Sequence, residues 1–384
     1  MLGDFDGVHT RAWLRSSVDR GHDVHAISFY EPAEPLDGVT VHVLRPGPRG
    51  AYAARPAGGA SPMLARVPRG LLRLAQALRY RRAGLARVVR AIAPDVLHAH
   101  FLVEHGFYGA AAGFHPYVVT CWGSDVLVEP ERDPLSRAIA KWTIRRADLL
   151  TSNNGYMAER LVALGAPRER VELVTLGADR FFMEEVGRSV NVRPPEPSRT
   201  PCVLSTRAHE PLYNVDEIIA AFARVRAAAP GARLVVAHGG SQTAELRRAA
   251  AALGAAVEFA GFLDRASFRD ALHAADVFVS VPSSDGTSVA LLQAMAAGCF
   301  PIVSDLPTQR ELVEDGVNGL RVPLHRQDLL AGRIERALRD SGLRRRAVEL
   351  NRRIVEERGL NEREMAKMDA LYRRLATGSP PLRP

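Results

Sequence analysis

Residues 277–298 read VFVSVPSSDGTSVALLQAMAAG. Val277–Ser280 is a short apolar run, long enough for a buried strand and too short for a helix. Proline, serines, Asp285 and Gly286 then make a turn. Helix formers follow without a break until Gly298, a residue suited to closing a helix. The unit is therefore strand, tight turn, helix. Gly286 lets the backbone approach a ligand, and Thr287 or Ser288 can cap the helix. The free amides and positive dipole end of such a helix form a ready site for a diphosphate, with Val289 in its first turn. Gln293 is a polar residue inside an apolar helix, where an unpaired amide is costly, so it asks for a ligand partner. The blander alternative is a helix that is merely well capped.

The same alternation runs outward in both directions. Strand-like runs fall at Val24–Phe29, Val39–Leu44, Val96–His100, Tyr117–Trp122, Leu149–Ser152 and Val171–Thr175, with helical stretches such as Thr10–Arg20 and Tyr156–Leu164 between them. A second set follows at Val203–Thr206, Leu234–His238, Val257–Ala260, Val277–Ser280 and Ile302–Ser304, separated by helices at Val215–Ala229, Thr243–Leu253 and Ala266–Ala274. Such alternation predicts parallel sheets in an α/β chain. Residues 186–201 break the pattern with proline and little apolar content, the mark of a linker. The expected domains are thus 1–185 and 202–360, then a helix over 361–375 returning toward the first domain, and a mobile tail over 376–384. Only Met1 and Leu2 precede GDFDG, so the first strand of the first domain looks truncated and the natural start is expected upstream.

At 384 residues with 47% hydrophobic and 24% charged side chains, the chain can bury two cores. No run approaches the ~20 apolar residues of a membrane span, and Asp4, Asp6 and Arg11 break up any secretion signal. Three scattered cysteines, Cys121, Cys202 and Cys299, point to a reducing cytoplasm rather than to disulfides or zinc. The net charge of +8 comes almost wholly from arginine, with Lys141 and Lys367 the only lysines. That bias matches a GC-rich coding sequence better than it marks a nucleic-acid surface.

Ligands of open α/β sheets bind beyond the carboxyl ends of the strands. In the second half those ends carry Arg207, Gly239-Gly240, Gly261-Phe262 and the Asp285–Ser288 turn, and Arg207 can supply a fixed positive charge. In the first half they carry His98 and His100, then Trp122-Gly123-Ser124-Asp125. Asp125 is the best-placed candidate to accept an acceptor proton, His100 the second, with His98 expected to point into the core. His9, in DGVHT, is expected to line the same cleft.

Several segments in order resemble the retaining glycosyltransferases of family 4. They are STRAHEPLYNVDEIIAAFARV (205–225), GFLDRASFRDALHAADVFVSVPSSDGTSVALLQAMAAG (261–298) and PIVSDLPTQRELVEDGVNGLRVP (301–323), preceded by RGHDVHAISF, PDVLHAHF, VVTCWGSDVL and residues 147–179. The resemblance implies a GT-B fold, two Rossmann-like domains facing across a cleft. It also implies transfer of a hexosyl group from a nucleotide diphosphate sugar to a hydroxyl, with retention and without a metal or other cofactor. The implied donor-binding residues are Arg207, Asn214, Gly239, Phe262, Asp285, Gly286, Thr287, Ser288, Val289 and Gln293. His9 and Trp122 fall on the acceptor side. Two departures stand out. The family has glutamates at the positions of Asp285, toward the sugar, and Gln293, toward the ribose; a neutral hydrogen bond in place of a charged one costs on the order of 1 kcal/mol. The family's lysine after the arginine is missing, since the segment here reads EPLYN. Trp122 stands where relatives often have histidine.

From Leu64 to Arg90 there is no acid but eight arginines, with Val67, Leu71, Leu74 and Leu78 at helical spacing. This is either a surface helix packing its apolar stripe inward or a basic amphipathic helix for an anionic membrane. The resemblance implies an enzyme of cell-surface polysaccharide or glycolipid synthesis, while the residues themselves leave the acceptor open among capsule, lipopolysaccharide, lipid-linked oligosaccharide and small-molecule glycoside. It would be cytoplasmic, at the inner membrane face, with a glycan or lipid-linked acceptor and no nucleic acid. The alternative is a weakened paralogue that binds a sugar nucleotide or partner without transfer. A sugar-nucleotide epimerase shares the fold but fits the quoted segments less well, and a dehydrogenase lacks a strand–GxGxxG–helix unit.

Overall fold

A computed structural model describes residues 1–44, 69–82, 84–184, 188–192 and 199–378, with the side chains of 81 and 82 outside the description. Much of the expected linker, the start of the basic segment (64–68) and the last tail residues (379–384) therefore lie outside the described residues. The chain divides into two compact units, 1–176 with 362–384, and 177–361.

The first unit holds β1 (Val24–Ser28), β2 (Val39–Val43), β3 (Leu97–His100), β4 (Tyr117–Thr120), β5 (Leu149–Ser152) and β6 (Val171–Leu173), all parallel. Strands β3, β4 and β5 are buried at every position, because helices cover both faces of a parallel sheet. Leu2 makes parallel bridges to Ile27 and to Ala99, so one residue joins β1 to β3. The helix Asn361–Ala376 belongs to this unit. Its Tyr372 hydroxyl accepts from Trp13 Nε1 (3.0 Å) and meets His98 Nδ1 (2.5 Å), while Glu364 accepts from the Thr175 amide (3.1 Å).

The second unit is one six-stranded parallel sheet. Its strands are β7 (Cys202–Ser205), β8 (Arg233–Ala237), β9 (Val257–Gly261), β10 (Val277–Ser280), β11 (Phe300–Ser304) and β12 (Leu320–Val322). They lie in the order β12-β11-β10-β7-β8-β9. The sequence pattern missed β12, whose three residues carry too short an apolar run to stand out. The order is that of a doubly wound sheet. Succession runs outward through β7, β8 and β9 on one side and through β10, β11 and β12 on the other. The two directions part between β7 and β10, and the loops after those strands open beside each other there. Phe222, Val277, Ile302 and Ile334 are among the fully buried side chains of the core on one sheet face. Phe278, Leu291, Leu292 and Val355 pack the other.

Candidate functional site

The switch point of the second unit brings together the loop after β7 and the turn after β10. The helix Val289–Ala296 begins at Ser288, whose hydroxyl caps it by accepting from the Leu291 amide (3.3 Å). Arg207 Nη1 donates to the same hydroxyl at 2.8 Å, and Nη2 sits 3.0 Å from Asp285. The Arg207 guanidinium also lies on the Tyr213 ring, 4.2 Å from its centroid. A cation is thus held where the helix dipole is already positive, with Asp285 as the compensating charge. Burial pushes the Asp285 carboxyl above its ordinary range, and Arg207 opposes that shift. Two donor groups, the guanidinium and the helix N-terminus, therefore converge beside one carboxylate. A diphosphate suits that arrangement.

Neighbouring loops brace the pair. The Asn214 amide nitrogen donates to Val281 O (2.8 Å) and Ser283 Oγ (2.9 Å), and the Ser283 amide donates to Leu212 O (2.9 Å). Both amide protons of Asn214 are therefore used inside the protein, and its backbone takes the left-handed conformation, φ +49°. This geometry makes Asn214 a strut between the two loops rather than a donor toward a ligand. Sequence reading missed Thr308, just after β11, whose hydroxyl donates to the Asp285 carbonyl (3.0 Å). The strand-end rule that singled out Arg207 applies equally to it.

Val289, Ala290 and Gln293 are the partly exposed positions of an otherwise buried helix, and their spacing places them on one open face. Gln293 is thus half-buried rather than enclosed. Gly286 is buried and Thr287 is half-buried in the turn itself. Beyond β8, a Cβ on Gly239 would come within 3.2 Å of the Phe262 ring, which is 77% exposed and packs on His238 (centroids 4.5 Å apart). Gly240 has no room for a side chain, since a Cβ there would sit 2.5 Å from His209 O. Glu210 holds this loop by accepting from the Ser241 amide (2.8 Å) and hydroxyl (2.6 Å).

In the first unit the strand ends form a stack of rings. His9 is exposed and lies over Trp122 (5.4 Å), Trp122 lies over His100 (5.7 Å), and Trp13 meets both His100 and Trp122 edge-on. His100 is buried, and neither of its ring nitrogens has a hydrogen-bond partner among the described residues. Burial holds its pKa down at about 3, so the ring is neutral near pH 7. His98 is buried and bonded. Because the indole can only donate, Tyr372 accepts from Trp13 and gives its own proton to His98 Nδ1; His98 Nε2 then donates to Thr120 Oγ1 (2.7 Å).

Asp125 differs from the expectation of a proton acceptor. It is fully buried, with Oδ1 accepting from the Trp122 and Gly123 amides (3.0 and 2.8 Å) and Oδ2 from the Leu102 amide (2.8 Å). Burial raises its pKa while those amides lower it. A carboxylate so enclosed ties the loop after β3 to the loop after β4, and presents no free oxygen to an acceptor.

Residues 191–354 match the model of the glycosyl transferases of group 1, and residues 1–154 match a glycosyl transferase 4-like model. Among curated proteins, the phosphatidyl-myo-inositol mannosyltransferase of Mycolicibacterium smegmatis is 32% identical over 152 residues, 39% of each chain. The glycogen synthase of Mycobacterium tuberculosis is 27% identical over 253 residues, 63% of this chain and 59% of that one. The chain thus spans less than two thirds of the length of these curated relatives, 39% of the first and 59% of the second. Over nearly full length it superposes on sucrose-phosphate synthase from Thermosynechococcus elongatus. The TM-score is 0.76 at 19% identity, covering 98% of this chain and 99% of that one. It also superposes on Anabaena HepE, solved in complex with UDP, with a TM-score of 0.73 at 16% identity, covering 97% and 99%. At these identities the structural likeness shows the fold.

Proposed function

Because the chain belongs to the glycosyl transferases of group 1 and has the GT-B fold, we propose that it moves a hexosyl group from a nucleotide diphosphate sugar to a hydroxyl with retention. The observation that carries this reading is the Arg207 guanidinium fixed at the N-terminus of the Val289–Ala296 helix beside Asp285. Arg207 and the first-turn amides, Val289 included, would take the diphosphate, where negative charge grows as the bond to the sugar breaks. The open face at Gln293 suits the ribose, the exposed Phe262 ring beside Gly239 suits the base, and Asp285, turned from Arg207, suits the sugar hydroxyls. The acceptor oxygen would form the new bond to C1 on the face that the diphosphate leaves. Its proton would pass to the departing diphosphate oxygen. No metal enters this scheme.

In the first unit, Trp122 and His9 are the groups exposed enough to meet an acceptor; Asp125 and His100 shape the loops from within. The relatives' names support a glycan or lipid-linked acceptor, and with it cell-surface polysaccharide or glycolipid synthesis. That reading makes the protein cytoplasmic and peripheral to the inner membrane face, and gives nucleic acid no part. A second reading, a binder without transfer, is favoured by the uncharged Gln293.

Calorimetry with UDP, GDP, ADP and their common sugar conjugates tests the proposal. Binding of one nucleotide class that disappears in Arg207→Ala, with slow release of nucleotide from its sugar conjugate, supports transfer. Binding without any release supports the second reading. A folded protein that binds none of them overturns both.

A further inference from the structure

The helix Arg69–Arg82 is mounted with its apolar stripe outward. Its inward positions are Gly70, Arg73, Ala77 and Tyr80. Arg73 is only 4% exposed; it is ion-paired with buried Glu129 and donates to Ser136 Oγ at 2.7 Å. Gly70 faces Leu135 so closely that a Cβ would lie 2.6 Å from its side chain, and Tyr80 stacks on Tyr108. These contacts fix the rotation of the helix. They leave Leu71, Leu72, Leu74 and Leu78 on the opposite side, exposed by 49, 39, 41 and 46%. An ordinary surface helix would bury these leucines and turn the arginine out. Of the two readings open from the sequence, the inward apolar stripe is therefore overturned, and Arg73 is removed from the solvent-facing basic set.

Charge in this segment has one sign. Arg69, which also pairs with Glu129, and Arg79, whose guanidinium lies over the Phe29 ring, are exposed beside the leucines, and Arg87 and Arg90 are exposed on the next helix, Leu85–Ile92. The sequence holds no acid from Leu64 to Arg90. Acids packed against the helix are occupied: Glu129 by Arg73, Arg69 and Arg132, and Asp133 by the amide and hydroxyl of Ser136. Exposed leucines beside exposed arginines match a bilayer surface. The apolar side chains enter the acyl boundary while the guanidinium groups meet anionic headgroups. Nucleic acid would use the arginines and leave four leucines in water. No described helix is long and apolar enough to cross a membrane.

We propose that the outward face of Arg69–Arg82, with Arg87 and Arg90, is a docking surface for anionic phospholipid. The inference gives the proposed lipid-linked acceptor a place to be met, but it stands on geometry in the first unit alone and does not depend on donor binding.

Flotation of the full chain with vesicles tests it, one set of phosphatidylcholine and one of phosphatidylcholine mixed with phosphatidylglycerol, at low and high salt and without nucleotide. Binding is expected only to the mixed vesicles and should weaken with salt. Replacing Leu71, Leu74 and Leu78 together by serine should lower it about tenfold or more, as should Arg87→Glu with Arg90→Glu. All five side chains lie at the surface, so each variant should still fold, which its thermal unfolding checks; a nucleotide titration of each variant shows separately whether the donor site is intact. Equal binding to both vesicle types, no binding to either, or unchanged binding by the leucine variant would overturn the proposal. A leucine variant that still floats while the arginine variant does not points to a purely electrostatic contact and also rejects it.

Discussion

Arg207 and Asp285 are ion-paired 3.0 Å apart across the point where the second sheet changes direction. The carboxylate occupies the cation that a diphosphate would need, so nucleotide and Asp285 compete for one guanidinium. Replacing Asp285 by asparagine frees Arg207 and should tighten binding of a free nucleoside diphosphate, by roughly tenfold at most in a partly exposed site. Turnover of the sugar conjugate should fall, since the sugar loses its charged partner. Calorimetry and a turnover assay on the same variant check the two halves. Weaker diphosphate binding in Asp285→Asn would show that the carboxylate organises the site rather than masking it.

Tyr213 supports the underside of that guanidinium, 4.2 Å from ring centroid to Cζ. It stands in the EPLYN segment that lacks the family's lysine. A ring fixes the plane of the existing cation where relatives add a second one. Cation–π contacts at such sites are worth about 0.5–2 kcal/mol. Tyr213→Leu should therefore weaken nucleotide binding several-fold, and Tyr213→Phe should leave it near the parent value. Equal loss in both variants would mean that the hydroxyl, not the ring face, matters.

Much of this arrangement was legible in the residues. Val277–Ser280, Gly286 and Gly298 announced a strand, a turn and a helix, and the strand-end rule placed Arg207 beside the turn. Direction within a helix was less legible. Periodicity shows that Leu71, Leu74 and Leu78 share a face, but only Gly70 against Leu135 and Arg73 against Glu129 say which way it points. Asp125 misled for a related reason: sequence shows a carboxyl at a strand end, and only three-dimensional structure shows three backbone amides closing on it. The helix's direction depends on contacts distant in the chain, whereas Asp125 is closed by its own turn at Trp122 and Gly123 and by Leu102 on another loop.

Gln293 lies on the open face of the Val289–Ala296 helix. Glutamate at this position would give a charge-assisted bond to a ribose hydroxyl in place of a neutral one. Gln293→Glu should strengthen nucleotide binding several-fold, on the order of 1 kcal/mol. The gain should vanish with a 2′,3′-dideoxynucleotide. If it persists with that ligand, the side chain meets something other than the ribose.

His100 makes folding stability depend on pH. Its folded pKa is about 3, against an ordinary value of 6.5, because burial among Trp13, Trp122 and His98 disfavours the imidazolium. Burial and its histidine neighbour likewise hold His98 well below the ordinary range. Above pH 6.5 both folded and unfolded chains carry neutral rings, and the full stability is present. Below it the unfolded chain takes up protons that the folded chain refuses. Stability should therefore fall by about 1.4 kcal/mol per pH unit for each ring between pH 6.5 and the folded value. His100→Phe keeps an aromatic ring against the two tryptophans and removes one titration. Its melting temperature should drop less steeply from pH 7 to pH 5 than the parent's. Parallel curves would mean that other groups control acid unfolding, and that the unpartnered nitrogens of His100 are reached by solvent in the folded state.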